Sequence, residues 1–100
     1  MKFAAVIDYI TDKAKIAAVR PAHRVYLTNL VQTGKLVCAG PFVDDSGGLI
    51  VYEAETAEAA EALLKADPFC TGGVFVRWTL RPWKTVFGNH GLIPNGGPHV

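Results

Sequence analysis

The chain of 100 residues has the length of one domain, half of its residues are hydrophobic, and its formal net charge is +1. Its ten lysines and arginines are scattered without a basic block, which argues against a nucleic-acid partner. No apolar run approaches the roughly 18 residues that a membrane helix needs, so no membrane partner is expected either. So high an apolar share in so short a chain predicts that a second copy covers part of the surface.

The N-terminus and the cysteines indicate the compartment. The opening residues, MKFAAVIDYI, resemble the start of an export signal, but Asp8 interrupts their apolar run too early for one. Cys38 and Cys70 are too far apart for a local metal knuckle and form no CxxC pair. A single disulfide stays open at this point, but two free thiols in a reducing cell interior is the simpler interpretation. We therefore expect a cytoplasmic protein.

The first third of the chain predicts a strand and then a helix. Residues 3–9 are rich in β-forming side chains and predict the first strand. Between residues 12 and 33, apolar positions recur at steps of three and four, which is typical of one face of a helix. That stripe consists of Ile16, Val19, His23, Leu27, Leu30 and Val31.

Pro21 interrupts this helical pattern. Proline has no backbone N–H to donate, so it kinks a long helix or begins a new one. We expect a short helical segment over about 12–19 and a main helix from Arg20 or Pro21 to Thr33. Gly34 then supplies the left-handed residue that ends the helix.

The remainder predicts two more strands, a second helix and a fourth strand. We predict strands over residues 36–42 and 49–54, joined by the turn Asp-Asp-Ser-Gly-Gly. The stretch 57–66 consists of strong helix formers, with Thr56 before it as a capping residue. The dipeptide Asp67-Pro68 ends this helix, because a residue before proline is pushed out of the helical region.

Side chains of residues 74–80 follow the two-residue period of a strand, which predicts the fourth strand. We expect two sets of side chains on opposite faces: Val74, Val76, Trp78 and Leu80 on one, and Phe75, Arg77 and Thr79 on the other.

The order β-α-β-β-α-β predicts an α+β, ferredoxin-like fold with an antiparallel sheet and both helices on one face. The other face, carrying residues such as Trp78 or Phe75, must be covered. A second subunit laid sheet to sheet covers it, which predicts a homodimeric α/β barrel. We place the domain at 1–86 and interpret the glycine- and proline-rich residues 87–100 as an extended tail.

His23 is the ionisable residue on the apolar stripe of the first helix. One interpretation is a core histidine bonded to a backbone carbonyl; the other is a general base, for which histidine needs the least tuning near pH 7. Asp67 is its natural partner, although Asp-Pro can also serve only to end a helix. Because both helices lie on one sheet face, His23 and Asp67 can approach to about 2.6–3.2 Å, the range of a hydrogen bond.

Other polar residues carry weaker signals. Arg20 lies one turn before His23, so it either is a solvated charge or binds a ligand oxygen in the same pocket. We expect Asp44 and Asp45 to form a solvated turn, and the tail histidines, His90 and His99, to be exposed. The sequence has no metal-binding motif and no glycine-rich phosphate loop, so its residues indicate no metal site and no phosphate-binding site.

Six short motifs follow one another along the chain: Arg20–Leu27, Gly34–Leu36, Ala39–Phe42, Gly47–Gly48, Asp67–Phe69 and Arg81–Lys84. Taken together, they resemble the motifs of the YCII-related (YciI-like) family. The resemblance implies the dimeric α/β-barrel form of the ferredoxin-like fold. It also implies a cleft with a catalytic pair, which falls on His23 and Asp67 here. We assign Arg20 and Tyr26, from the first motif, as substrate-binding residues.

The resemblance further implies chemistry like that of muconolactone isomerases and lyase-type dehydrochlorinases. These act on small hydroxylated aromatic compounds by moving protons. We therefore expect a small cofactor-independent lyase or isomerase for a hydroxylated aromatic or enol-type substrate. Two alternatives stay open: a non-catalytic module that binds a small ligand, and a haem-binding or cofactor-free monooxygenase.

Overall fold

The computed structural model describes residues 1–93, which form a four-stranded antiparallel sheet with helices packed on one face. The elements in chain order are β1 (Lys2–Tyr9), α1 (Lys13–Gln32), β2 (Leu36–Pro41), β3 (Gly47–Glu53), α2 (Ala57–Ala66), α3 (Pro68–Thr71), β4 (Phe75–Trp83) and a 3-10 helix (His90–Leu92). The strand order is β2-β3-β1-β4, with β1 and β3 in the centre. The predicted α+β, ferredoxin-like fold is confirmed.

The core lies between the helices and one face of the sheet. Strand β1 alternates, so every second residue from Phe3 to Tyr9 is buried toward the helices. Helix α1 buries residues seven apart, two turns of helix, and these are Ile16, His23 and Leu30. His23 is therefore on the face of α1 that meets the core.

Helix α1 runs without a break through Pro21, so the expected division into two helical pieces is wrong. Proline removes one backbone hydrogen bond and crowds the preceding turn. The long helix on both sides, capped by the Asp12 carboxylate and anchored by buried residues at both ends, outweighs this local cost. The consequence for the site is that Arg20 and His23 belong to one rigid helix.

The second helical region agrees with the sequence up to Asp67 and then adds an element. Helix α2 has the predicted bounds, and the Thr56 hydroxyl accepts the backbone N–H of Ala59. After α2, the chain forms the four-residue helix α3 with Pro68 in its first turn. Proline suits that position, because the N–H it lacks has no partner within a helix anyway. Asp67 thus ends one helix and caps the next.

Strand β4 departs from the predicted alternation. Tyr9 pairs with Phe75 whereas Asp8 pairs with Arg77, so a β-bulge places one extra residue in β4. As a result, Phe75 is buried in the core and Trp78 packs against it, while Val76 is exposed. The prediction that Phe75 or Trp78 lies on the open face of the sheet is wrong.

Two further observations bear on the earlier expectations. Cys38 and Cys70 are free thiols. Among residues 1–93, no helix is long and apolar enough to cross a membrane.

Candidate active site

The side chains of His23 and Asp67 form a buried hydrogen-bonded pair. Nδ1 of His23 lies 2.7 Å from Oδ1 and 3.0 Å from Oδ2 of Asp67. Asp67 is completely buried and His23 is 8% exposed. An ionised carboxylate can only accept, so Nδ1 carries the hydrogen and Nε2 is left as the basic nitrogen.

Local structure fixes the Asp67 carboxylate. Asp67 is the capping residue of α3, and its Oδ1 also accepts the backbone N–H of Phe69 at 2.8 Å. Its extended backbone is the conformation that the following Pro68 imposes. The carboxylate is therefore aimed at His23 by the same turn that joins α2 to α3.

The ring of Phe69 fixes the other side of the imidazole. The two rings stack with centroids 3.8 Å apart and planes 5° from parallel. Phe69 itself is buried, so it cannot swing away without opening the core. His23 is thus held in its plane by Phe69 and in its orientation by Asp67.

A cavity of about 460 Å³ opens beside this pair, between α1 and the β2–β3 side of the sheet. His23 and Phe69 form part of its wall together with Tyr9, Arg20 and Ile93. The rest is mostly apolar, contributed by α1 and by β2, including Leu27 and Val31, Leu36, Val37 and Cys38. Such a volume suits a small organic molecule.

Arg20 lies on the cavity wall and forms an ion pair with Asp45. The distance from Nη2 of Arg20 to Oδ1 of Asp45 is 2.6 Å, and both side chains are a little over one quarter exposed. Asp45 occupies the β2–β3 turn with a φ of 61°, a left-handed conformation that aspartate tolerates better than most residues. The Lys13 ammonium also binds the carbonyls of Asp44 and Asp45, so the turn is held against α1. Asp45 is therefore more than the solvated turn residue that the sequence indicated.

Tyr9 is a site residue that sequence analysis missed. It ends β1 on the core-facing alternation, and its side chain lines the cavity. Burial raises the pKa of its phenol to about 12, opposed by the nearby Arg20 cation. The signal was present in the alternation of β1, but the position of the cavity could not be read from it.

Tyr26 is not brought into the cavity. Its hydroxyl donates to the backbone carbonyl of Leu63 at 2.7 Å, on the side of α1 that faces α2. Burial raises the pKa of this phenol. The described cavity wall does not include Tyr26.

The remaining candidates lie elsewhere. Within residues 1–93, no three His, Cys, Asp or Glu side chains are grouped as metal ligands. His90 belongs to the exposed 3-10 helix, and His99 lies outside the described residues. Burial raises the pKa of the Cys38 thiol, which disfavours the nucleophilic thiolate.

Fold and site together define a small α+β protein with a buried histidine–aspartate pair at the wall of a ligand-sized cavity. The chain belongs to the YCII-related family, whose domain model matches residues 1–84. It is 38% identical to the protein YciI of Escherichia coli, over 81% of this chain and 97% of that protein. The uncharacterised protein YjpA of Bacillus subtilis is 36% identical over 62% of this chain and 72% of its own length.

A solved structure shares the fold. It is the 5-chloro-2-hydroxyhydroquinone dehydrochlorinase TftG of Burkholderia phenoliruptrix, in complex with 2,5-dihydroxybenzoquinone. The TM-score is 0.73 at 24% sequence identity, and the match covers 84% of this chain and 94% of that one.

Proposed function

We propose that this protein is a small lyase or isomerase that moves a proton on a hydroxylated aromatic or enol-type substrate, without a metal or organic cofactor. The hydrogen bond of 2.7 Å between His23 and Asp67, at the wall of a ligand-sized cavity, carries this proposal. The likeness in fold to a dehydrochlorinase that binds a dihydroxybenzoquinone supports the same substrate class.

The proposed first step is proton abstraction by His23. Nε2 takes the proton of an acidic hydroxyl or C–H group, and the electron pair of that bond moves into the conjugated system of the substrate. Asp67 holds Nδ1–H and stabilises the imidazolium that forms. Arg20, on the same wall, offsets the negative charge that develops on the substrate oxygen.

The second step sets the reaction type. In an isomerisation, the imidazolium returns the proton to a different atom of the substrate, so no atom is lost. In an elimination, a leaving group departs as an anion with its bonding electron pair, and the imidazolium later gives its proton to solvent.

Assembly and compartment are part of the same proposal. We propose a homodimer that covers the open face of the sheet, on which Val6 pairs with Leu49. Both residues are substantially exposed in the single chain, at 46% and 39%. Two free thiols support a reducing compartment, and we propose the cytoplasm.

The test is turnover of 5-chloro-2-hydroxyhydroquinone, followed by chloride release and by absorbance, in wild type, His23→Gln and Asp67→Asn. General acid–base groups accelerate a reaction on the order of 10²–10⁴-fold, so we expect the turnover rate of His23→Gln to fall by a factor in that range. His90→Gln is the matched control and should behave as wild type, because His90 lies outside the cavity.

Turnover by His23→Gln at the wild-type rate would contradict the catalytic role of His23. Binding of 2,5-dihydroxybenzoquinone without turnover across a panel of related quinols would favour the ligand-binding module. A Soret band in the purified protein would favour the haem-binding alternative.

A further inference from the structure

Tyr9 lines the cavity, and its hydroxyl has no hydrogen-bond partner among residues 1–93. None of the side-chain hydrogen bonds in the described part of the chain involves this hydroxyl. The residue as a whole is 8% exposed, and its hydroxyl, unlike that of Tyr52, is not fully enclosed by the described chain. A phenol in such a position leaves a hydrogen-bond donor open to whatever occupies the cavity.

The ring of Tyr9 is held by its neighbours. It stacks on Phe75 with centroids 6.0 Å apart and meets Phe69 edge to face at 5.4 Å. Phe69 in turn stacks on His23, so one aromatic cluster orients both the phenol and the imidazole. The hydroxyl is therefore placed with little freedom to turn elsewhere.

The sheet makes room for this hydroxyl at Gly48. A Cβ at position 48 would lie 2.8 Å from the Tyr9 oxygen and 2.9 Å from the carbonyl oxygen of Gly40, both closer than real Cβ atoms come. A larger residue at position 48 would push the phenol out of place. The glycine thus belongs to the geometry that presents the hydroxyl to the cavity.

The charge around Tyr9 defines what it can bind. The Arg20 cation is near enough to lower the pKa of the phenol, although burial has the larger effect and raises that pKa to about 12. The hydroxyl is therefore protonated near neutral pH and donates. The nearby carboxylates of Asp45, which pairs with Arg20, and of Asp67 act in the same direction as burial and raise the pKa of Tyr9. Arg24 adds a second cation to the cavity wall, and neither of these carboxylates lines that wall.

We propose that Tyr9 is a ligand-binding residue whose hydroxyl donates a hydrogen bond to an anionic oxygen of the ligand, beside Arg20. The ligand class is then a phenolate or enolate with its charged oxygen at Tyr9 and its ring in the apolar part of the cavity. This deepens the proposed function, because it names the form of the substrate that the same cavity holds.

Tyr52 provides the contrast that makes the inference testable. It is also a buried tyrosine on the core side of the sheet, and its hydroxyl also has no partner within the described chain. However, Tyr52 does not belong to the described cavity wall. Loss of its hydroxyl should therefore leave ligand binding unchanged.

The experiment compares two probes that differ in charge. One is 4-nitrophenol, at a pH where it is ionised, and the other is its methyl ether 4-nitroanisole, which cannot ionise. Wild type should bind the phenolate more tightly than the ether. In Tyr9→Phe the ratio of the two affinities should fall about tenfold, since hydrogen bonds to charged groups contribute about 1.5–3 kcal/mol and 1.4 kcal/mol is tenfold.

A merely structural role of Tyr9 would weaken both probes equally and leave the ratio unchanged, which would overturn the inference. Equal affinity of wild type for the two probes would overturn it as well. Tyr52→Phe is the control and should keep the wild-type ratio. If thermal unfolding shows that Tyr9→Phe does not fold, 3-fluorotyrosine at position 9 replaces it; this more acidic donor should raise the ratio, and no change would overturn the inference.

This measurement is independent of catalysis. An unchanged ratio in Tyr9→Phe, with turnover lost in His23→Gln, would overturn only the role of Tyr9. A ratio that falls as expected, in a protein that turns over no quinol, would overturn only the proposed reaction.

Discussion

Asp67 performs two tasks with one carboxylate: it orients His23 and it caps helix α3. Removal of one partner so that a buried polar group is left without a hydrogen bond typically costs about 1–3 kcal/mol. Asparagine keeps an oxygen that can accept the Phe69 N–H, whereas alanine leaves both donors without a partner. Asp67→Asn therefore separates the effect on His23 from the effect on the fold better than Asp67→Ala does.

A substitution of Tyr26 tests whether the ligand-binding residues are those of the cavity wall or those of the sequence motif, which includes Tyr26. Its hydroxyl bonds the Leu63 carbonyl and so joins α1 to α2. We expect Tyr26→Phe to lower the free energy of unfolding by about 1 kcal/mol, the usual contribution of one hydrogen bond. Binding of 2,5-dihydroxybenzoquinone should not change. Weaker binding with unchanged stability would restore Tyr26 as a substrate-binding residue.

At this scale, the sequence identified the residues that regular periodicity and proline chemistry can reveal. His23 interrupts an apolar helical stripe, and Pro68 restricts the backbone of Asp67, so both residues can be recognised from the sequence alone. Tyr9 and Asp45 do not, because their importance depends on which loop closes against which helix. Tyr26, predicted to bind substrate, bonds the Leu63 carbonyl and lies outside the described cavity wall. Sequence spacing cannot tell which side of α1 faces α2, so its role in binding stays a prediction.

The elements were predicted where local chemistry dominates. Helix α2 begins after its capping threonine at the expected residue, and Gly34 has the left-handed φ of 75° expected after α1. The errors came where tertiary packing overrides local cost. Pro21 is accommodated inside a well-packed helix, and the bulge in β4 shifts the alternation by one residue, so that Phe75 joins Trp78 on the core-facing side of the strand.

The segment after β4 forms part of the cavity wall. It lies beyond residues 1–84 of the family match, and Ile93 lines the cavity while the adjacent Leu92 is 81% exposed. We expect Ile93→Ala to weaken binding of 2,5-dihydroxybenzoquinone severalfold, because loss of a half-buried aliphatic side chain removes about 1 kcal/mol of apolar contact. Leu92→Ala is the control, and its affinity for 2,5-dihydroxybenzoquinone in a ligand titration should match that of wild type. Equal effects of the two substitutions would show that the segment does not contact the ligand.

For the whole molecule, the open face of the sheet sets the expected assembly. The exposed apolar residues there include Val6 and Leu49, while Phe75 and Trp78 serve the core instead. We expect wild type to have the mass of two chains by light scattering at micromolar concentration. Val6→Glu should have the mass of one chain, because an unpaired charge is costly to bury in an apolar interface.

Val43→Glu is the control for this dimer. Val43 is fully exposed in the turn after β2, so its substitution should keep the wild-type mass. A wild-type mass of one chain, or a Val6→Glu protein that stays a dimer, would contradict the proposed interface.

The stability of the whole molecule should decrease at alkaline pH. All three tyrosines have raised pKa values: Tyr9 at about 12, with Tyr26 and Tyr52 also raised, chiefly by burial. In the unfolded chain these phenols lose their protons near pH 10, so the folded state binds more protons above that pH and its stability falls. The decrease should begin near pH 9, because the thiols of Cys38 and Cys70 are shifted in the same direction.

The free energy of unfolding should fall by at most about 1.4 kcal/mol per pH unit for each tyrosine that ionises only on unfolding. Denaturant unfolding at a series of pH values measures this slope, and ultraviolet absorbance follows tyrosinate formation in parallel. The two should change together, because the buried phenols ionise mainly when the chain unfolds. Tyr52→Phe should flatten the slope more than Tyr26→Phe does, since Tyr52 is fully buried and Tyr26 only partly. Tyrosinate formation near pH 10 in a protein that is still folded would contradict the packing described for these rings.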